Sequence, residues 1–192
     1  MPALSDEKQL YRQRALARRK AFHAENADVA VSVEAVWDEL AHTLQLDRCV
    51  IGAYVAAGSE IETAGLMRKL AGQGHSLALP VTEPHGHSIL FRSYAPGDKL
   101  VKGGFGMMEP EGTQAPLAPD VVVVPLVGFD AVGSRLGRGG GHYDRMLSSL
   151  RSRQSIFAVG LAYEVQFFEA LPCEAHDEKL NAVITETCVR VF

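Results

Sequence analysis

The stretch that decides the fold runs from Asp120 to Leu147, DVVVVPLVGFDAVGSRLGRGGGHYDRML. Val121 to Val124, continued by Pro125, Leu126 and Val127, read as a strand buried on both faces, because an unbroken β-branched run suits a strand covered on either side. Asp130 to Gly141 then supply a turn, two arginines and a triple glycine, and His142 to Leu147 carry the chain into a helix with Asp144 in its first turn. A strand, a glycine-rich loop and a helix in that order bring backbone N–H groups and the positive end of the helix dipole to one point. The stretch is an anion site in outline.

Upstream of it, Cys49 to Ala57 (CVIGAYVAA) reads as the first buried strand, Thr63 to Ala71 as a helix closed by Gly72 and Gly74, and Ser76 to Val81 as the next strand. That is one βαβ unit, whose right-handed crossover implies parallel strands. Glu60 follows the first strand, where open α/β sheets bind ligands; it is either such a ligand residue or an acid that favours the helix dipole. Val33, Val36, Trp37, Leu40 and Leu44 recur at helical spacing, so Ser32 to Leu46 is an amphipathic helix with a structural role. At the N-terminus Ser5 can cap a first helix, with Asp6 and Glu7 in its opening turn. Lys8 and Arg12 share a face of that helix and Arg19 lies near the same line. They are either solvated charges or fixed cations for a phosphate.

Between the two β units, His85 and His87 form an H-x-H pair in a Pro-Gly loop, which reads as solvent-facing for want of a third metal ligand. Ile89 to Tyr94 is a strand at the sheet margin, and Ala95 to Pro119 is a long loop without helical or strand period, of a length usually kept for function. Phe105 lies within it, as a surface for a flat ligand or as a core plug. Downstream, Ile156 to Ala162 is another buried strand, Glu164 to Leu171 a short helix stopped by Pro172, and Leu180 to Thr185 and Cys188 to Phe192 are closing strands. The alternation gives an α/β fold, a single doubly wound and mainly parallel sheet with helices on both faces, in one domain over residues 1–192.

Composition narrows the function. Lys plus Arg number 19 against 23 Asp plus Glu, a net charge of −4, so there is no general attraction for nucleic acid or an anionic membrane and any basic site must be local. Cys49, Cys173 and Cys188 are an odd number without a CxxC pair, which argues against a zinc cluster or a disulfide framework and for a reducing compartment. No apolar run approaches the ~20 residues of a membrane span, and the charged N-terminus lacks the apolar core of a signal peptide. A soluble, cytoplasmic, monomeric protein is expected.

The glycine loop lacks the Lys-Ser/Thr ending of a P-loop, and Gly137 to His142 does not satisfy GxGxxG. Arg135 and Arg138 add guanidinium groups that match phosphate or carboxylate oxygens, and Asp144 lies close enough to hold magnesium on them. The chemistry suits a nucleotide triphosphate with Mg²⁺. A sugar phosphate or a purely structural glycine turn fits the same residues.

Four places, Lys8-xxx-Arg12, Glu60-Ile-Glu-Thr63, Pro125 to Asp130 with Arg135 to Asp144, and His176-Asp177, together resemble the 5-formyltetrahydrofolate cyclo-ligase family, also called methenyltetrahydrofolate synthetases. Phe105-Gly-x-x-Glu-Pro110 resembles it more weakly. The resemblance implies that ATP phosphorylates the N5-formyl oxygen of 5-formyltetrahydrofolate, that N10 attacks, and that phosphate leaves to give 5,10-methenyltetrahydrofolate and ADP. It implies ATP contacts from Lys8, Gln9, Leu10, Tyr11 and Arg12 and from Arg135, Leu136, Gly137, Arg138, Gly139, Gly140, Gly141, His142 and Tyr143. Lys8, Arg12 and Arg138 would act on the transferring group, Arg138 to His142 would also approach the folate, Val55, Glu60 and Phe105 would hold its ring, and Asp144 and Asp177 would organise Mg²⁺. Two positions depart from the pattern: some relatives carry Lys where this chain has Gly140 and an aromatic where it has His142. A sugar-phosphate isomerase, an acyl-CoA-handling protein and a folate buffer without turnover are the competing readings.

Overall fold

The structure, a computed structural model, describes residues 4–26, 29–82 and 89–192, without the side chains of 29–32 and 105. His85 and His87 therefore lie outside the described residues. The elements in order are α1 (Leu4–Glu25), α2 (Val29–Thr43), β1 (Val50–Gly52), α3 (Ala64–Gly72), β2 (Ser76–Thr82), β3 (Ile89–Tyr94), β4 (Leu100–Lys102), β5 (Met108–Pro110), β6 (Val121–Pro125), β7 (Gly128–Phe129), β8 (Arg135–Leu136), α4 (His142–Arg151), β9 (Phe157–Leu161), β10 (Ala182–Ile184) and β11 (Val189–Val191). Among the described residues no helix is long and apolar enough to cross a membrane.

The seven-stranded sheet has the order β11-β10-β9-β6-β1-β2-β3. Its inner pairings are all parallel, and only the edge strands β3 and β11 run antiparallel. The valine run is the central strand. Its side chains alternate: Val121 and Val123 join the core under α2 and α3 with Trp37, Leu40, Leu66 and Leu70. Val122 and Val124 join the opposite core with Met146 and Leu147 of α4. All four valines are essentially inaccessible to solvent, which is why this strand carries no polar alternation.

Several expectations change in detail. Ser5 lies inside α1, which already begins at Leu4, so it is not the cap. The first strand stops at Gly52 because the chain peels off: Ala53 donates its N–H to Ala78, and the Tyr54 carbonyl instead accepts the Thr63 hydroxyl. The 95–119 loop contains a β4–β5 ribbon joined by a 3₁₀ turn over Gly104–Gly106. Its three-residue strands are too short to show a period. Arg135 and Leu136, within the expected turn, pair with β7 as β8. The helix expected over Glu164 to Leu171 is one 3₁₀ turn, Glu164–Gln166, because Phe168 N–H bonds to Phe129 and Leu171 N–H bonds to the Asp130 carboxylate, drawing the segment along β7.

Candidate active site

The parallel strands, read across the sheet as β2-β1-β6-β9-β10, reverse direction of progression between β1 and β6. That is a topological switch point, where the loops leaving two neighbouring strands part and leave a crevice. The crevice here is a cavity of about 240 Å³. Its lining combines apolar side chains, Tyr54, Val55, Pro80, Ile89 and Met107, with the charged Lys8, Arg12 and Asp177 and the glycine loop.

Buried hydrogen bonds hold the walls. The Tyr54 hydroxyl donates to the Ile61 carbonyl at 3.1 Å, which folds the 54–63 segment over the strand end. At the end of β6 the Gln166 amide donates to the carbonyls of Leu126 (3.0 Å) and Val127 (2.8 Å) and accepts Tyr163 N–H at 2.9 Å. Asp130 accepts the N–H groups of Val132 and Ser134, closing the turn that returns β8 to the cavity. Gly139 and Gly141 adopt φ of 104° and 64°, a region that side-chain-bearing residues avoid. Gly141 is the residue before α4, so the orphan N–H groups of its first turn face the cavity lined by Gly139 to Asp144. A Cβ on Gly140 would lie 2.6 Å from His142 Nε2, so the imidazole occupies the space a larger residue would need.

Charge is arranged in three pairs around that loop. Lys8 Nζ donates to Asp177 at 2.6 Å and to Glu174 at 2.7 Å. Burial lowers the Lys8 pKa, but these two bonds outweigh it and hold the ammonium above its usual range. Arg135 donates to Asp144 at 2.8 Å and to the Glu178 carbonyl. Arg138 donates to Glu60 at 2.9 Å, and Arg19, buried behind it, lies 3.9 Å from the same oxygen. Burial draws the Arg19 pKa down, with Glu60 opposing. The Tyr143 hydroxyl is buried with no hydrogen-bond partner among the described residues, and burial pushes its pKa up, so it stays protonated.

A family model described as the 5-formyltetrahydrofolate cyclo-ligase family matches residues 4–186. The chain belongs to that family. It is 38% identical over 139 residues to the 5-formyltetrahydrofolate cyclo-ligase of Haemophilus influenzae, covering 70% of this chain and 74% of that protein. To the Escherichia coli K12 protein of that name it is 35% identical over 144 residues, 72% and 79% of the two chains. The solved structure of Aquifex aeolicus 5,10-methenyltetrahydrofolate synthetase superposes with a TM-score of 0.77 at 29% identity, covering 96% of this chain and 92% of that one.

Of the residues assigned by resemblance to the cyclo-ligase family, Lys8, Arg12, Val55, Glu60, Arg135 to Asp144 and Asp177 all line the one cavity. Gln9, Leu10 and Tyr11 do not: Gln9 and Leu10 are exposed and Tyr11 packs edge-on against Phe168, because only every third or fourth residue of α1 can face the loop. The Phe105 side chain lies outside the described residues, while Met107 and Met108 beside it reach the cavity. Asp144 and Asp177 are each engaged by a cation. The grouping of potential metal ligands among the described residues is Glu174, His176 and Asp177, with ligand atoms within 4.8 Å of one another. Glu174, Tyr54 and Gln166 were not singled out in the sequence. Glu174 alone had a signal, its place two residues before His176-Asp177.

Proposed function

We propose that the chain closes 5-formyltetrahydrofolate to 5,10-methenyltetrahydrofolate at the expense of ATP. In this reading the apolar lining of the cavity takes the folded ring system, with Val55 against it and Glu60 at its polar edge. Lys8, Arg12, Arg138 and the N–H groups of Gly139 to Tyr143 take the triphosphate. The formyl oxygen attacks the γ-phosphorus and ADP leaves. N10 then attacks the formyl carbon, loses its proton, and phosphate departs with the original formyl oxygen. Neither step asks much of an acid or base; what the chain supplies is alignment of a weak nucleophile and neutralisation of charge on the transferring oxygens.

The carboxylates of Asp177, Glu174 and Asp144 are the hard oxygen donors that suit Mg²⁺, which supplies further neutralisation of the phosphate oxygens when bound. Lys8 and Arg135 already balance those carboxylates.

One observation carries the reading: a cationic glycine loop at a helix N-terminus and apolar side chains share a single cavity at the switch point, so a phosphoryl donor and a flat acceptor can meet there. The test is incubation of the purified chain with 5-formyltetrahydrofolate and Mg·ATP, following the near-ultraviolet absorbance of the methenyl product and ADP release. Folate binding without either signal would favour a buffering protein.

A further inference from the structure

Arg145 stands three residues beyond His142 on α4, about one turn away, and side chains on a helix lean toward its N-terminus. Its guanidinium therefore reaches back over the first turn onto the glycine loop. Nη2 donates to the Gly140 carbonyl at 3.0 Å and lies 3.0 Å from His142 Nδ1. Nη1 rests against the loop backbone, 2.8 Å from where a Cβ on Gly141 would stand. Gly140, Gly141 and His142 line the cavity, whereas Arg145 does not. The imidazole thus turns one nitrogen, Nδ1, toward Arg145 and the other, Nε2, over Gly140, 2.6 Å from where a Cβ on that glycine would stand.

A guanidinium carries only donors. In its contact with Arg145 the Nδ1 atom must therefore be the acceptor, which leaves the proton of the neutral ring on Nε2. The distinction matters at this loop. A phosphate oxygen is an acceptor: Nε2–H can donate to it, whereas the Nδ1–H tautomer would turn a lone pair toward it. We propose that Arg145 is a positioning residue that holds His142 as the Nε2–H tautomer, so that the ring presents a donor to the phosphate oxygens of the nucleotide, an assignment that rests on the cyclo-ligase reading. Arg145 acts from outside the cavity lining, through the ring. Its bond to the Gly140 carbonyl anchors the guanidinium in the place from which it reaches Nδ1.

Nitrogen NMR of the imidazole rings reads the tautomer directly, with the His142 signals assigned by their loss in His142→Phe. At neutral pH the unsubstituted protein should show a bare Nδ1 and a protonated Nε2 at His142, and Arg145→Met a ring that averages over both tautomers. In calorimetry with Mg·ATP, Arg145→Met should weaken binding about fivefold, the scale of one hydrogen bond. In the His142→Phe background the same substitution should change Mg·ATP binding less than about twofold, because the group it acts through is gone. A His142 ring protonated on Nδ1 or averaging in the unsubstituted protein would overturn the proposal. So would unchanged binding in Arg145→Met, or a loss of equal size in the His142→Phe background, the mark of a cation acting on the phosphates directly. The predicted tautomer and loss of Mg·ATP affinity in a protein that forms no methenyl product would refute the ligase and keep the positioning role. Turnover with an averaging ring would refute the positioning role and keep the ligase.

Discussion

Replacing Glu60 by Gln removes the charge that joins the wall of the cavity to its glycine loop. Oε1 lies 2.9 Å from Arg138 and 3.9 Å from Arg19, and Oε2 accepts Ala57 N–H at 2.9 Å. The Arg138 side chain is 60% exposed, so its pair contributes at most about 1 kcal/mol. Arg19 is different. At its separation the gross attraction is about 4 kcal/mol for an effective dielectric constant of about 20. Arg19 keeps its bonds to Ser59 and Leu126, so the net cost falls below the ~3–5 kcal/mol of a fully stranded buried charge. We expect about 2–3 kcal/mol, which for a domain of this size lowers Tm by about 5–10 °C. Thermal unfolding at pH 7 by circular dichroism measures it. In a cycle with Arg19→Met, the double variant should be more stable than the sum of the singles by about 2 kcal/mol. Additive effects, or a Glu60→Gln midpoint within about 2 °C of the unsubstituted protein, would refute the reasoning.

Arg138→Lys keeps the charge and loses the planar fork, and should lower kcat about tenfold or more; unchanged kinetics would remove Arg138 from the phosphate site. Asp144→Asn should raise the magnesium concentration for half-maximal rate severalfold, whereas an unchanged dependence would leave Asp144 as the anchor of Arg135 alone. Burial raises the Asp177 carboxyl, but the bonds from Lys8 and the Glu174 amide outweigh it, so its pKa stands below the usual 3.8. A carboxyl depressed in the folded state contributes stability above its unfolded pKa and loses it as pH falls through the folded value. Asp177→Asn should therefore be less stable than the unsubstituted protein at pH 7 in urea titrations, with the gap closing below about pH 4. A gap that persists at the lowest pH would contradict the Lys8–Asp177 account.

The residues made the sheet readable where pattern and burial coincide. Val121 to Val124 have no polar face because both faces are covered, and the glycine loop after them needs backbone shapes that only its composition permits. Three parts of the site were hidden for a common reason: they depend on partners distant in sequence. The first strand stops at Gly52 because Thr63 captures the Tyr54 carbonyl. The 164–171 segment is not a helix because Asp130 and Phe129 take its N–H groups. Gln166 looks like an ordinary polar residue until it meets the end of β6, forty residues away. The α1 line of Lys8, Arg12 and Arg19 was legible as a basic face; that Lys8 and Arg12 line the cavity while Arg19 is buried against Ser59 and Leu126 was not, since those partners are distant in sequence.

The central claim is that one cavity brings a phosphoryl donor to a formyl-folate. Mixing the purified chain with 5-formyltetrahydrofolate and Mg·ATP, and following near-ultraviolet absorbance together with ADP, tests it most directly. The account predicts the methenyl absorbance rising in step with ADP, one for one, and no rise without ATP. ATP hydrolysis with no methenyl product, or methenyl product formed equally well without ATP, would contradict it.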